Sequence, residues 1–261
     1  MVTKHSVVGI STALKNLPPF PPVACKVMNL LSQKEFSFRE VGDTLKTDAG
    51  LSAEVLRLAN SALAGARYRV TSILQALAMV GADRLAGLLL TLSLSRLLKR
   101  AGGSKTIRNC WRHSLATALA AREFSSSFGA EAEEAYQAGL FHDVGRLALL
   151  VIDADLYDEL LSQEGDLVDL ERAHFGADHC ETGGLLIEQW KLPQLFAEVA
   201  RQHRDPKLDA GSLTLVVHAS CEYADQLGFS LRPPEGGPNV SEELGFFIAA
   251  TINSLECEYE I

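Results

Sequence analysis

"GLFHDVGRLALL", residues 139–150, sets a histidine beside an aspartate, His142 and Asp143, inside an apolar stretch with helical spacing. Apolar side chains recur at three and four positions here and along most of the chain, while alternating apolar and polar runs rich in β-branched residues are scarce. That period predicts an all-α protein. Neighbouring helical positions differ in direction by about 100°. His142 and Asp143 can therefore share an ion only at the edge between their two faces. The small Gly139 and Gly145 would let other helices approach that edge.

Working outward, the pattern predicts a helix from about Glu131 to Leu150 and a long one from about Thr106 to Phe128. Shorter helices are expected near 153–163, 167–174 and 178–190, then from Pro193 to His203 and from Ser212 to Leu227. Towards the N-terminus, Pro21 and Pro22 open "PVACKVMNLLSQ", since a proline loses nothing in the first turn. Ser37 and Glu40 have capping-box spacing, and Asp48 is a candidate N-cap for "AGLSAEVLRLANSAL", with Leu51, Val55, Leu58 and Leu63 as its inward stripe. Ser72 restarts the pattern after "AGARYR". "ADRLAGLLLTLSLSRLLKR" is apolar enough for a buried helix, "AGGS" at 101–104 reads as a hinge, and "RPPEGGPN" at 232–239 as a loop. A last helix is expected from Ser241 to about Leu255.

A chain of 261 residues with 47% hydrophobic and 22% charged residues can bury a sizeable core. No apolar run near the start is long enough for a signal peptide, and the longest weakly polar run falls short of the roughly 20 residues of a spanning helix. Five scattered cysteines without a C-x-x-C pair suggest reduced thiols. A cytoplasmic protein without membrane contact is expected. The net charge of −9 argues against generic nucleic-acid binding. Its distribution is uneven: residues 1–83 carry +3, residues 84–122 carry +8 and residues 123–261 carry −20. The basic stretch reads either as a surface attracted to an acidic part of the protein or as an anion-binding surface built by Lys99, Arg100, Lys105, Arg108 and Arg112.

Six of the seven histidines lie between 113 and 218. Imidazole with carboxylate suits a divalent transition metal such as Zn, Fe, Mn or Ni, which would activate water for attack on a phosphate ester. The same residues read equally as a hydrogen-bonded buried cluster without metal. His5 falls in the N-terminal tail, His174 reads as a helix C-terminal cation and His218 as a core residue. Trp111 and Trp190 read as core anchors or, less simply, as walls of a base-stacking pocket.

"GLFHDVGRLALL" with His113 in "WRHSLATALAA" resembles the HD superfamily of metal-dependent phosphohydrolases. "LPPFPPVACKVMNLLS", "VGDTLKTDAGLSAEVLRLANSALAG" and "VTSILQALAMVGADRLAGLLL", followed by "HFGADHCETGGLLIEQWKLPQLFAEVARQH", narrow the resemblance to the HDOD domain, the HD-related output domain of bacterial signalling proteins. The resemblance covers roughly residues 14–227. It implies a multi-helical HD-like bundle at about 105–227, a helical N-terminal part at about 14–100, a tail over 1–13, and a loop and C-terminal helix over 228–261 that pack on the same domain.

As metal ligands the resemblance implies His113, His142 and Asp143, with His179 and His203 matching further positions of the relatives that cleave cyclic dinucleotides. Three departures stand out. Arg204 replaces the second histidine of an expected pair, Cys221 stands where a distal aspartate is expected with Asp225 one turn later, and the glycine-tyrosine-proline signature is missing. Thiolate is itself a good ligand for Zn or Fe, so Cys221 joins the candidate set; a buried apolar role is its other reading. The resemblance thus implies a regulatory module that acts through contacts with other signalling proteins. A metal-dependent phosphohydrolase or phosphodiesterase acting on a nucleotide, and a module that binds a nucleotide or anion without cleaving it, are the alternatives.

Overall fold

The computed structural model describes residues 7–15, 17, 19–31, 33, 35–60, 69–100, 104–207, 209–232 and 241–259. Helices make up its regular structure, with no strand among the described residues. His5, most of "AGGS" and nearly all of "RPPEGGPN" lie outside them. No single described helix is long and apolar enough to cross a membrane. The chain divides into two compact units, Pro19–Leu97 and Met1–Pro18 with Leu98–Ile261.

The first unit holds α2 (Pro22–Leu31), α3 (Phe38–Leu45), α4 (Ala49–Ala59), α5 (Ile73–Val80) and most of α6 (Ala82–Arg100). Asp48 caps α4 as expected, accepting from the Leu51 amide at 2.9 Å. Ser37 does not act as a capping-box residue: its backbone is extended, but its hydroxyl makes no bond to the first-turn amides of α3. Leu51 and Val55 are fully buried; the side chains of Leu58 and Leu63 fall outside the description. The side-chain amide of Asn60 donates to the Val70 carbonyl at 2.8 Å and accepts from the Val70 amide at 2.7 Å. Leu85, Leu89, Leu90, Leu92 and Leu94 are buried almost all round α6, which accounts for its weak amphipathicity.

The second unit is built around α7 (Lys105–Phe128), started by the Ser104 hydroxyl on the Ile107 amide and ended by Gly129 in the left-handed conformation. Against α7 pack α8 (Ala132–Phe141), α14 (Ser212–Ala224) and α15 (Glu242–Tyr259). The other elements are α9 (Val144–Ile152), α10 (Ala154–Ser162), α11 (Leu167–Phe175), α12 (His179–Gln189) and α13 (Gln194–Gln202). α12 packs on both α9 and α13. Carboxylates at Asp153, Asp166 and Asp178 cap α10, α11 and α12. Trp111, Phe141, Tyr157 and Phe175 are fully buried; burial of each such side chain is worth about 1.5–3 kcal/mol. Trp190 is buried as well, so both tryptophans are core residues.

Two expectations change here. Residues 7–13, expected within a tail, belong to the helix α1 (Val7–Leu14), whose last carbonyl accepts from Gln189 of α12 at 3.0 Å. The continuous helix expected over 131–150 is broken at His142 and Asp143. The His142 imidazole takes the Gly139 carbonyl at 2.6 Å, which a continuous helix would offer to residue 143, and Asp143 moves to φ −106°, ψ 14°. The interruption frees the doublet from the 100° constraint of neighbouring helical positions.

Candidate metal centre

Four elements deliver the histidines to one place: α7 carries His113, the α8–α9 break carries His142 and Asp143, α12 begins with His179, and His203 ends α13. Helices α9 and α12 meet through glycine. A Cβ on Gly145 would overlap the His179 carbonyl oxygen and lie 2.6 Å from the Gly183 nitrogen; one on Gly139 would lie 2.8 Å from the Ala118 Cα. Both glycines thus permit the close approach that the sequence suggested.

Asp143 is the hub. Its Oδ1 lies 3.3 Å from His203 Nε2 and 3.4 Å from His179 Nε2; its Oδ2 lies 3.5 Å from His113 Nε2 and 3.6 Å from His142 Nε2. The Arg146 guanidinium, one turn on, places Nε 2.8 Å from Oδ2. Despite this company neither buried carboxylate oxygen receives a well-directed hydrogen bond. His142 Nε2 and His113 Nε2 are 3.3 Å apart, and Cys221 Sγ of α14 is 3.5 Å from His113 Nε2. All six sequence-predicted ligands converge, and all are buried.

The outward nitrogens are held in turn. His142 Nδ1 donates to Gly139 and His203 Nδ1 donates to the Ala200 carbonyl at 2.9 Å. A carbonyl only accepts, so the neutral form of each ring keeps its lone pair on Nε2, facing Asp143. His113 Nδ1 faces Asp225 Oδ1 at 3.4 Å. His179 Nδ1 meets Glu171 Oε2 at 2.6 Å; the same oxygen accepts from the His179 amide at 2.8 Å, and Tyr157 donates to Oε1 at 2.7 Å. Glu171, Tyr157 and Arg146 were missed in the sequence; only Arg146, three residues after Asp143, carried a local signal.

Electrostatics divide the cluster in two. Burial lowers His142 far below its ordinary value and lowers His113 as well, which keeps both rings neutral. Burial opposes the charged forms of His179 and Asp143 too. Glu171 and Cys180 outweigh burial and Arg146 at His179 and raise it to about 10, while Arg146 and the histidines hold Asp143 well below the carboxylate range. His203 is raised, burial being outweighed by Asp143 and Cys180. Burial pushes the Cys221 thiol up.

This donor set fits a metal. Ligands at about 2.0–2.1 Å from a tetrahedral ion stand about 3.3–3.4 Å apart, slightly more with sulfur. The His113–His142, His113–Cys221, His113–Asp143 and His142–Asp143 separations of 3.3–3.6 Å are close to that spacing, and the Asp143 carboxylate among them is orphaned. Arg146 already supplies a positive charge to this carboxylate, with Nε on Oδ2 and Nη2 3.4 Å from His179 Nε2. The cluster could bind a metal through imidazole, carboxylate and thiolate.

The other candidates fall elsewhere. His218 Nδ1 donates to the His203 carbonyl at 2.7 Å and so supports the centre from outside, and His174 sits in the last turn of α11. The basic stretch is not gathered into an anion site among the described residues. Arg112 pairs with Glu256 of α15 at 3.0 Å and lies over the Phe229 ring, while Lys105 and Arg108 are exposed. The side chains of Lys99 and Arg100 lie outside the description. Local charge density marked these residues, but the acidic C-terminal helix is what Arg112 meets.

Comparison with known proteins agrees with this architecture. An HDOD protein of unknown function from Geobacter sulfurreducens superposes with a TM-score of 0.73 at 24% identity, covering 97% of both chains. A candidate phosphohydrolase from Shewanella amazonensis SB2B gives 0.72 at 21% identity over 96% of this chain and 88% of its own. A candidate signal transduction protein from Marinobacter aquaeolei VT8 gives 0.66 at 22% identity over 95% and 62%. An uncharacterized protein of Treponema pallidum (strain Nichols) is 22% identical over 213 residues, 78% of this chain; the chain spans 40% of that relative's length. The HDOD domain model matches residues 17–206, and the chain belongs to the HDOD family.

Proposed function

We propose that this chain is a regulatory output module of a bacterial signalling system, acting in the cytoplasm through contacts with other signalling proteins, and that its buried centre holds one divalent transition-metal ion in a structural or sensing role. The observation that carries this reading is the convergence of four buried donors. His113, His142, Asp143 and Cys221 are all buried, and Cys221 fills the corner where a further carboxylate was expected. Closed four-ligand sites are structural, whereas catalytic sites keep a position open. The thiol favours Zn or Fe over Mn or Ni. Arg146 supplies a fixed positive charge to the same carboxylate, which argues for one ion rather than two. The exposed Phe246 and Phe247 of α15 support a role in protein contacts, and the name of the Marinobacter relative agrees with one in signalling.

A second reading, metal-dependent hydrolysis of a nucleotide phosphoester, is favoured by one observation: a cavity reaches His113, His179 and Arg146 from outside. A metal bound there would lower the pKa of a water. Metal analysis of protein purified without chelator, combined with turnover of bis-p-nitrophenyl phosphate, separates the two. One metal per chain, lost in His142→Ala, without turnover is expected. Metal-dependent turnover abolished by Asp143→Ala would replace the regulatory reading by the hydrolytic one.

A further inference from the structure

The imidazole of His113 is approached from both sides by one stretch of chain. Cys221 Sγ of α14 lies 3.5 Å from Nε2, and Asp225, four residues on and so on the same helix face, lies 3.4 Å from Nδ1. The second contact is incomplete. Nδ1 is buried, yet it makes no well-directed hydrogen bond, although the carboxylate stands within reach.

Asp225 opens a turn of π-helix, Asp225–Phe229, with Gly228 in the left-handed conformation near its end. The residues on either side of Asp225 bear on α15. Tyr223 donates its hydroxyl to the Ser241 carbonyl at 3.3 Å, just before α15 begins. Leu227 lies against Gly245, where a Cβ would come within 2.6 Å of Leu227 Cδ2. The Phe229 ring carries the Arg112 guanidinium at 5.7 Å, and Arg112 donates to Glu256 at 3.0 Å and to Asn253 at 3.4 Å, towards the other end of α15. Arg112 and His113 are neighbours on α7, so one backbone segment faces both the centre and α15. The outer face of α15 holds the exposed Phe246 and Phe247.

We infer that occupancy of the buried centre is reported at α15, with Asp225 as the positioning residue that carries the signal. The inference rests on the metal reading above. A divalent ion takes the lone pair of His113 Nε2, which leaves the ring proton on Nδ1, where a metal-bound imidazole donates to an outer acceptor. Asp225 supplies that acceptor. A buried N–H without a partner is destabilising, so loading favours closing the 3.4 Å approach into a directed hydrogen bond. Without the ion, the neutral ring can place its proton on Nε2 instead, towards Asp143 Oδ2 at 3.5 Å, and Asp225 is released. The two tautomers are thus a two-state element. Tyr223, Leu227 and Phe229 flank and form the turn that Asp225 begins, and α15 is seated on them. Loading therefore docks α15 more firmly and presents Phe246 and Phe247 to other proteins in a fixed orientation.

Hydrogen exchange followed by mass spectrometry tests this on the full chain, with and without saturating zinc, for the wild type, Asp225→Ala, Asp225→Asn and Leu227→Ala. Zinc content is measured on the same samples. In the wild type zinc should slow exchange across α15 at least about fivefold, the lower edge of ordinary coupling between sites. Exchange in α10, which belongs to the His179 side of the centre through Tyr157 and Glu171, should change by less than about twofold. Asp225→Ala should bind zinc about 10–100-fold more weakly and, once loaded, show the same α15 exchange as its zinc-free form. Asp225→Asn keeps an acceptor oxygen and should restore the zinc-dependent slowing, which a merely structural loss would not allow. Leu227→Ala should keep the zinc affinity and lose the slowing, because it opens the contact with Gly245. A wild type that binds no zinc would overturn the metal reading and this inference together. Zinc bound with α15 unchanged, α10 slowed as strongly as α15, or full slowing in loaded Asp225→Ala would overturn the inference and leave the metal reading standing.

Discussion

Replacing Gly145 by alanine tests how the centre is assembled. The new Cβ would overlap the His179 carbonyl oxygen and stand 2.6 Å from the Gly183 nitrogen and 2.8 Å from the His179 carbonyl carbon. All three are backbone atoms, so no rotamer change relieves them and α9 must move away from α12. Overpacking in a well-packed interior costs about 1–3 kcal/mol, and a backbone clash belongs at the upper end. At 2–4 °C per kcal/mol for a unit of this size, Tm should fall by about 6–12 °C. Gly183→Ala is the internal comparison on the same interface: its Cβ would sit 3.2 Å from the Gly145 nitrogen and 3.5 Å from the Ala200 Cβ, and less than about 1 kcal/mol is expected. The assay is thermal unfolding followed by circular dichroism. His179 is the first residue of α12, so the alanine variant should also show a displaced His179 imidazole resonance. A Gly145→Ala protein that melts within about 2 °C of the wild type, or no less stably than Gly183→Ala, would refute the reasoning.

Three further outcomes follow from the same contacts. In metal-free protein His179 titrates at about 10 in the fold against about 6.5 unfolded, so its pair with Glu171 stabilises fully below pH 6.5 and is lost as the pH rises through 10. Glu171→Gln should lower Tm at pH 6 and flatten its decline between pH 7 and 10; identical slopes would contradict the pairing. Asn60→Ala removes two bonds to Val70 and should cost about 1–2 kcal/mol in urea unfolding, whereas an unchanged midpoint would mean that the clamp is not formed in solution. Arg112→Gln breaks a part-exposed pair with Glu256, worth at most about 1 kcal/mol, so global stability should hold while amide exchange in α15 accelerates.

Residue type and spacing made the all-α fold legible, because the 3.6-residue period is a local property of the chain, and the family resemblance marked the candidate ligands. Asp48 could be read as a cap for the same reason. The break at His142 could not, since the apolar period continues on both sides and only the imidazole's bond to Gly139 interrupts it. Glu171 was invisible because its partner, His179, lies eight residues away across a turn, and nothing local distinguishes it from the other acidic residues of that half. Asp225 was read as a turn too late for the centre, yet it reaches the outer nitrogen of His113. The basic stretch was conspicuous as charge, but charge does not name its partner: Arg96 faces Asp48 at 3.9 Å and Arg112 faces Glu256. The cavity beside the centre is lined by Arg146, Arg204 and Arg232 with Asp166 and Asp225, which are far apart in the sequence.

X-ray absorption on the metal-loaded chain tests the closed, non-hydrolytic centre most directly. One ion per chain is expected, in a four-coordinate shell with nitrogen or oxygen ligands at about 2.0–2.2 Å and one sulfur at about 2.3 Å. The sulfur should disappear in Cys221→Ser. A shell without sulfur that keeps a water position, a second ion, or no bound metal at all would contradict it.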